Sequence, residues 1–112
     1  MARSIDINLT ARRLTLYEDG QPVREYPVGI GKPSTPTPTG QFTIAEKAIV
    51  SDPDFGTRWM ALSGGQGYGI HGTYNEASVG RAMSHGCVRM RIPDAEELYD
   101  LVEVGTPVNI HR

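Results

Sequence analysis

Ile70-His71-Gly72-Thr73 and Ser84-His85-Gly86-Cys87-Val88-Arg89-Met90 decide how this chain is read. The first stretch has the composition of a short strand. The second is a small-residue loop running into another strand, Cys87–Arg91. Together they hold the only cysteine and two of the three histidines. A cysteine attacks as a thiolate, and a nearby imidazole is the usual means of producing one near neutral pH. Arg89 adds a planar cation that grips a carboxylate through two parallel hydrogen bonds. Nucleophile, base and anion clamp therefore fall between positions 71 and 89, flanked by glycines that let a substrate approach.

The chain around these stretches reads as strands joined by turns. Arg58–Leu62 and Tyr68–His71 are short strands connected by Gly64-Gly65-Gln66-Gly67. Gln41–Val50 is a longer strand with Phe42, Ile44, Ala48 and Val50 on its inner face, and a loop follows over Asp52–Gly56. Near the start, Ile5, Ile7 and Leu9 alternate with polar residues, and Leu14 and Leu16 repeat the period of two. Asp19-Gly20 is a hairpin turn, since both residues tolerate positive φ, and Val23–Ile30 is the returning strand. Lys32–Gly40, with three prolines, is either a surface connector or a stiff wall beside a cleft. Asn75–Met83 holds at most one helical turn. Only one segment has helical spacing: Ile92, Ala95, Leu98, Leu101 and Val102, with Pro93 in the first turn, acidic residues near the start and Gly105 as the stop. Val108–Ile110 closes the chain as a strand. The fold class is thus mainly β, in a single domain over 1–112, with one α-helix in the C-terminal half.

Composition agrees with this reading. Gly 13 and Pro 8 in 112 residues indicate turn-rich β structure. A net charge of −2 with mixed signs offers no basic stripe, so no nucleic-acid partner is expected. No apolar run approaches the roughly 20 residues of a membrane span. Met1–Thr10 alternates in polarity and lacks an apolar core, so no signal peptide is visible in this chain. A single cysteine excludes an internal disulfide.

Cys87 is the candidate nucleophile; the structural alternative is a small buried hydrophobe. His71 is the candidate general base, taking the thiol proton and returning it to a leaving amine. Its second ring nitrogen needs an orienting partner. Gly72 has no side chain, so a backbone carbonyl must serve, that of Gly72 being one candidate. His85 has three possible roles: stabilising the thiolate, lining an oxyanion site or ordering the loop. Ser84 is placed to hydrogen-bond within the loop. Gly86 and Cys87 can point backbone N–H groups at a developing oxyanion. His71, His85 and Cys87 could in principle bind zinc, but no CxxC or HExxH spacing accompanies them, so neither a metal nor another cofactor is expected. Asp52, Asp54 and Glu76 are too scattered for a carboxylate pair, and Trp59, Tyr68 and Tyr74 belong to the core or the cleft lining.

These motifs resemble the catalytic domain of the L,D-transpeptidases, the YkuD-type family. Besides the His-Gly and Ser-His-Gly-Cys elements, Tyr26-Pro27-Val28-Gly29, Thr37-Pro38-Thr39-Gly40, Phe42 and Gly105-Thr106-Pro107-Val108 match family positions, so the resemblance runs from about Ile5 to His111. It implies a β-sandwich of mixed sheets with one helix. It also implies Cys87 as nucleophile, His71 as its base, and Ser84, His85 and Gly86 shaping the catalytic loop. The implied partners are peptidoglycan stem peptides. Cys87 would attack the third residue of a tetrapeptide, release the terminal D-Ala and pass the acyl group to another stem, giving a 3→3 cross-link. Water or a D-amino acid could replace that acceptor. Carbapenem inhibitors would acylate the same thiol. A cell-wall or extracytoplasmic location follows, and the branch resembled includes spore-associated enzymes. Two departures bear on substrate detail: some members have Asn where this chain has Arg89, and some have Ser where it has Gly72. Two other readings compete. A sortase-like cysteine transpeptidase also orders His, Cys and Arg, but spaces them far apart. A non-enzymatic wall-binding domain would be expected to lose its thiol or base. A depressed thiol pKa would mark an activated cysteine.

Overall fold

Alternation of apolar side chains builds the first half of the sheet. The computed structural model describes residues 2–112; Met1, which opens the alternating Met1–Thr10 stretch, lies outside them. Ile5 and Ile7 of β1 (Arg3–Asn8) and Leu14 and Leu16 of β2 (Arg13–Glu18) are buried, with more exposed neighbours between them. Asp19 and Gly20 take φ of 51° and 83°, the left-handed pair that a two-residue hairpin needs before β3 (Gln21–Pro27).

The returning strand is shorter than Val23–Ile30. The chain leaves β2 after Pro27, and Gly29 forms an isolated bridge to Arg89 before the two-residue β4 (Ile30–Gly31). Gly29 permits this crossing because a Cβ there would lie 2.5 Å from the Ser78 carbonyl oxygen. An early part of the chain is thereby tied to the backbone of the proposed site.

The 13-residue β5 (Gly40–Asp52) does two jobs. Its first residues pair with β10 (Pro107–His111), and from Ile44 onward it pairs with β6 (Gly56–Leu62), with register shifts between. Next come β7 (Gly69–Thr73), a 3-10 turn at Glu76–Ser78, β8 (Ala82–Ser84), β9 (Val88–Arg91) and the helix α1 (Ile92–Leu101). The sheet order is β3-β2-β1-β10-β5-β6-β7-β9, with β4 and β8 forming a separate two-stranded ladder. The pairs β1·β10, β7·β9 and β4·β8 are parallel and the remainder antiparallel, so the sheets are mixed. The two layers of the expected sandwich are joined through β5 into one eight-stranded ladder.

α1 packs on β6, β7 and β9 and contributes Ala95 and Leu98 to one core shared with Ile5, Leu16, Ile44, Met60, Ile70 and Met90. Each such fully buried aliphatic side chain contributes roughly 1.5–3 kcal/mol. The helix stops at Leu101, short of Gly105. Val102 is already extended (φ −120°, ψ 156°), and its carbonyl accepts a hydrogen bond from Lys47 Nζ at 2.7 Å. Beyond it, Gly105 N–H donates to the Ile44 carbonyl, so the sheet captures these residues before another helical turn can form.

Candidate active site

Pairing of β7 with β9 in parallel sets Arg89 opposite His71. Side chains alternate along a strand, so Cys87, two residues before Arg89, shares its face. Ile70, Val88 and Met90 point the other way and are fully buried. His71, Thr73, Cys87 and Arg89 therefore line one cleft of about 690 Å³, with Ser84 and His85 from the preceding loop.

His71 is 3% exposed, and its Nδ1 lies 2.8 Å from the Gly72 carbonyl oxygen. A carbonyl can only accept, so Nδ1 carries the hydrogen and Nε2 keeps its lone pair. This is the backbone partner expected for an orphan ring nitrogen. Burial pushes the imidazole below 6.5, and the Arg89 charge adds to that, against the Gly72 bond and the more distant Asp52 and Asp54. Burial also pushes the Cys87 thiol up, outweighing the Gly69 backbone hydrogen bond and the Arg89 charge, which favour the thiolate. Sγ lies 4.0 Å from the Gly67 carbonyl oxygen. Burial thus favours the neutral form of both groups, and the thiol is shifted in the direction opposite to the depression that would mark an activated cysteine.

The loop before Cys87 is held by Ser84, which is 2% exposed. Its Oγ donates to the Cys87 carbonyl at 2.6 Å and accepts from the Gly86 N–H at 3.1 Å. The Gly86 N–H is thus committed to Ser84 and does not point into the cleft as an oxyanion donor, which corrects the sequence expectation. The Ser84 carbonyl accepts from the Lys32 N–H at 3.0 Å and from Thr35 Oγ1 at 2.9 Å. The Lys32–Gly40 loop therefore buttresses the cysteine loop and supplies no cleft-lining residue. Gly86 has φ +122°, and a Cβ there would lie 2.3 Å from Tyr68 Cε1. Gly86→Ala is expected to destabilise the domain by about 1–3 kcal/mol and to displace Cys87. A lower urea midpoint together with slower thiol alkylation would show it.

The family model for the YkuD L,D-transpeptidase catalytic domain matches residues 2–110. The chain belongs to the L,D-transpeptidase catalytic domain family. It is 44% identical over 108 residues to YkuD of Bacillus subtilis (strain 168), covering 96% of this chain and 65% of that protein. It is 28% identical over 120 residues to L,D-transpeptidase 1 of Mycobacterium tuberculosis, covering 92% and 48%. Among solved structures, it resembles an L,D-transpeptidase from Mycobacterium smegmatis at TM-score 0.87 and 27% identity, covering 98% of this chain and 58% of that one. It also resembles the LD transpeptidase LdtMt1 in complex with imipenem at TM-score 0.84 and 25% identity, covering 98% and 59%. The chain thus spans less than two thirds of these relatives' lengths.

Within this L,D-transpeptidase domain, the two departures differ in their reach. Gly72 faces α1: a Cβ there would meet Ile92 Cδ1 at 2.9 Å and Ala95 Cβ at 3.5 Å. A serine at 72 would press on the helix and not on a substrate. Arg89, by contrast, lines the cleft and makes no ion pair among the described residues. Its backbone is fixed by two bonds with Gly29, at 2.8 and 2.9 Å. His85 is exposed at the rim of the cleft and makes no hydrogen bond among the described residues. No group of three His, Cys, Asp or Glu side chains among those residues could hold a metal ion. No helix there is long and apolar enough to cross a membrane.

Sequence reasoning missed Phe55 and left Trp59 undecided. Phe55 lines the cleft beside Pro53 and Asp54, from a turn that the sequence marks only as a loop. Trp59 stands opposite His71 in the β6–β7 register. Neither position is visible without the pairing of the strands.

Proposed function

We propose that this domain is a cysteine acyltransferase that acts on peptidoglycan stem peptides as an L,D-transpeptidase. The observation that carries this reading is the shared face of Cys87, His71 and the unpaired Arg89, with His71 already oriented through Nδ1. Cys87 Sγ attacks the carbonyl of the third stem residue while its proton passes to His71 Nε2. The backbone N–H of Cys87 is the proposed donor to the oxyanion, and Arg89 takes the carboxylate of the terminal D-Ala. As the C–N bond breaks, His71 returns the proton to the leaving amine, and a thioester remains. The side-chain amine of a second stem then attacks the thioester and gives its proton to His71, which passes it to the sulfur as the C–S bond breaks. The product is a 3→3 cross-link and free Cys87. Water or a D-amino acid as acceptor gives a tripeptide or an exchanged stem. Carbapenems would acylate the same sulfur, which fits the imipenem complex of a structural relative. The substrate implies action in the cell wall or another extracytoplasmic site.

Incubation with a purified disaccharide-tetrapeptide, followed by mass spectrometry, tests the reading. Loss of D-Ala with a cross-linked dimer or a tripeptide is expected. An unchanged tetrapeptide beside a Cys87 that still reacts with a thiol probe would overturn it. Arg89→Ala should raise KM for the tetrapeptide about tenfold to a hundredfold, the usual weight of a hydrogen bond to a charged group, with Arg89→Lys between. An unaltered KM would remove Arg89 from carboxylate recognition.

A further inference from the structure

Two aromatic rings that no family motif accounts for stand against the proposed base. Phe55 meets the His71 ring edge-on, at 5.0 Å between centroids and 72° between planes. Trp59 stacks on it at 5.8 Å and 27°. Phe55 and Trp59 also meet each other at 5.0 Å, so the three rings close a triangle. They come from three pieces of backbone: the β5–β6 turn, β6 and β7.

The surroundings are built for this triangle. Gly69 is outside the left-handed region, so no turn demands a glycine there. A Cβ at 69 would lie 2.5–2.8 Å from three atoms of the Trp59 ring, so the ring is what that glycine accommodates. Phe55 is fixed by Asp52, whose Oδ1 accepts from the Asp54 N–H at 2.7 Å and the Phe55 N–H at 3.2 Å. Phe55 is still 38% exposed, with its free side on the cleft.

We propose that Phe55 and Trp59 are positioning residues for His71, clamping its ring in the plane set by the Gly72 carbonyl and keeping water from its faces. The proposal rests on the reading of His71 as the base of an acyl transfer. An unclamped imidazole would swing about its Cα–Cβ and Cβ–Cγ bonds, and a small displacement of Nε2 from the thiol is costly to proton transfer. The rings cover part of the imidazole, and burial lowers its pKa. Charged groups reach His71 from two sides: Arg89 on β9 disfavours the imidazolium, while Asp52 at the end of β5 and Asp54 in the β5–β6 turn favour it. Cys87 lines the same cleft, its thiol pushed up by burial, and the aromatic substitutions remove none of these groups.

The test is titration of His71 by NMR in the full chain, alongside the pH profile of kcat/KM. Phe55→Ala, at an exposed turn, leaves the core intact. It is expected to move the His71 pKa upward, toward that of a free imidazole, with the acid limb of kcat/KM following and kcat at neutral pH falling about tenfold. Phe55→Leu, which keeps most of the bulk, should restore most of both. Trp59→Leu should act in the same direction. A His71 pKa unmoved or lowered in the Phe55→Ala protein would overturn the proposal, as would unchanged kcat. The NMR titration needs no turnover. If the parent protein leaves stem peptides untouched, the functional reading fails while the clamp is still measured; if it turns them over and the titration does not move, only the clamp fails.

Discussion

Replacing Cys87 with Ala is expected to abolish acyl transfer from the stem tetrapeptide and leave the fold in place. The sulfur sits at the cleft and not in the core, near the Gly67 carbonyl at 4.0 Å and the Gly69 backbone. Alanine keeps the Cβ and removes only the sulfur from a partly exposed position, so stability should change by about 1 kcal/mol or less. No other thiol exists in the chain to substitute for it. The measurement is tetrapeptide turnover beside a thermal melt, and residual turnover at the parent rate would sink the assignment. The same residue carries a pH signature. With burial pushing the thiol up and the imidazole down, the pair is expected to stay neutral near pH 7. Alkylation of Cys87 should therefore keep rising toward alkaline pH. A flat maximum at mildly acidic pH would instead reveal a resting thiolate–imidazolium pair.

Removal of the base should be nearly as severe. His71→Ala is expected to slow acylation by about 10²–10⁴-fold, the usual weight of general base catalysis. His71→Gln keeps an amide that can donate to the Gly72 carbonyl but cannot take the thiol proton. If the ring acts through proton transfer, both variants lose the rate; recovery with Gln would reduce His71 to a structural role. The acid limb of kcat/KM reports the base in the free enzyme. Because burial lowers its pKa, activity should persist below pH 6.5, and a limb above that value would contradict the geometry. Linkage has the matching sign. A histidine with a lowered folded pKa supports stability above its unfolded pKa, and that support is lost as pH falls through 6.5 toward the folded value. His111, raised chiefly by its hydrogen bond to Asp6, works the opposite way: its contribution is present at low pH and lost as pH rises through its folded pKa. Melting curves sum the two, so site-resolved titration is the cleaner measurement.

Much of the strand content is legible from local pattern. The alternation of Ile5, Ile7, Leu14 and Leu16, the Asp19-Gly20 turn and the apolar stripe of α1 all follow from residue-by-residue rules. Errors fall where distant segments compete for the same backbone. Val23–Ile30 ends early because Gly29 is drawn to Arg89, and α1 ends early because Lys47 and Ile44 capture Val102 and Gly105. Local propensity carries no record of such partners.

The chemistry divides along the same line. Residue types and spacing alone determined that a thiol, an imidazole and a guanidinium lie between 71 and 89, and that a backbone carbonyl must orient His71, because these are properties of side chains and of near neighbours in the chain. Only the tertiary structure decided that β7 and β9 pair in parallel with Arg89 opposite His71, that the Gly72 carbonyl is the partner of His71 Nδ1, that Ser84 consumes the Gly86 N–H, that Gly72 faces the helix, and that Phe55 and Trp59 stand against the His71 ring. It also decided the direction of each shift, the thiol up and the imidazole down, since burial is set by what packs around a group and desolvation here outweighs the charges beside it.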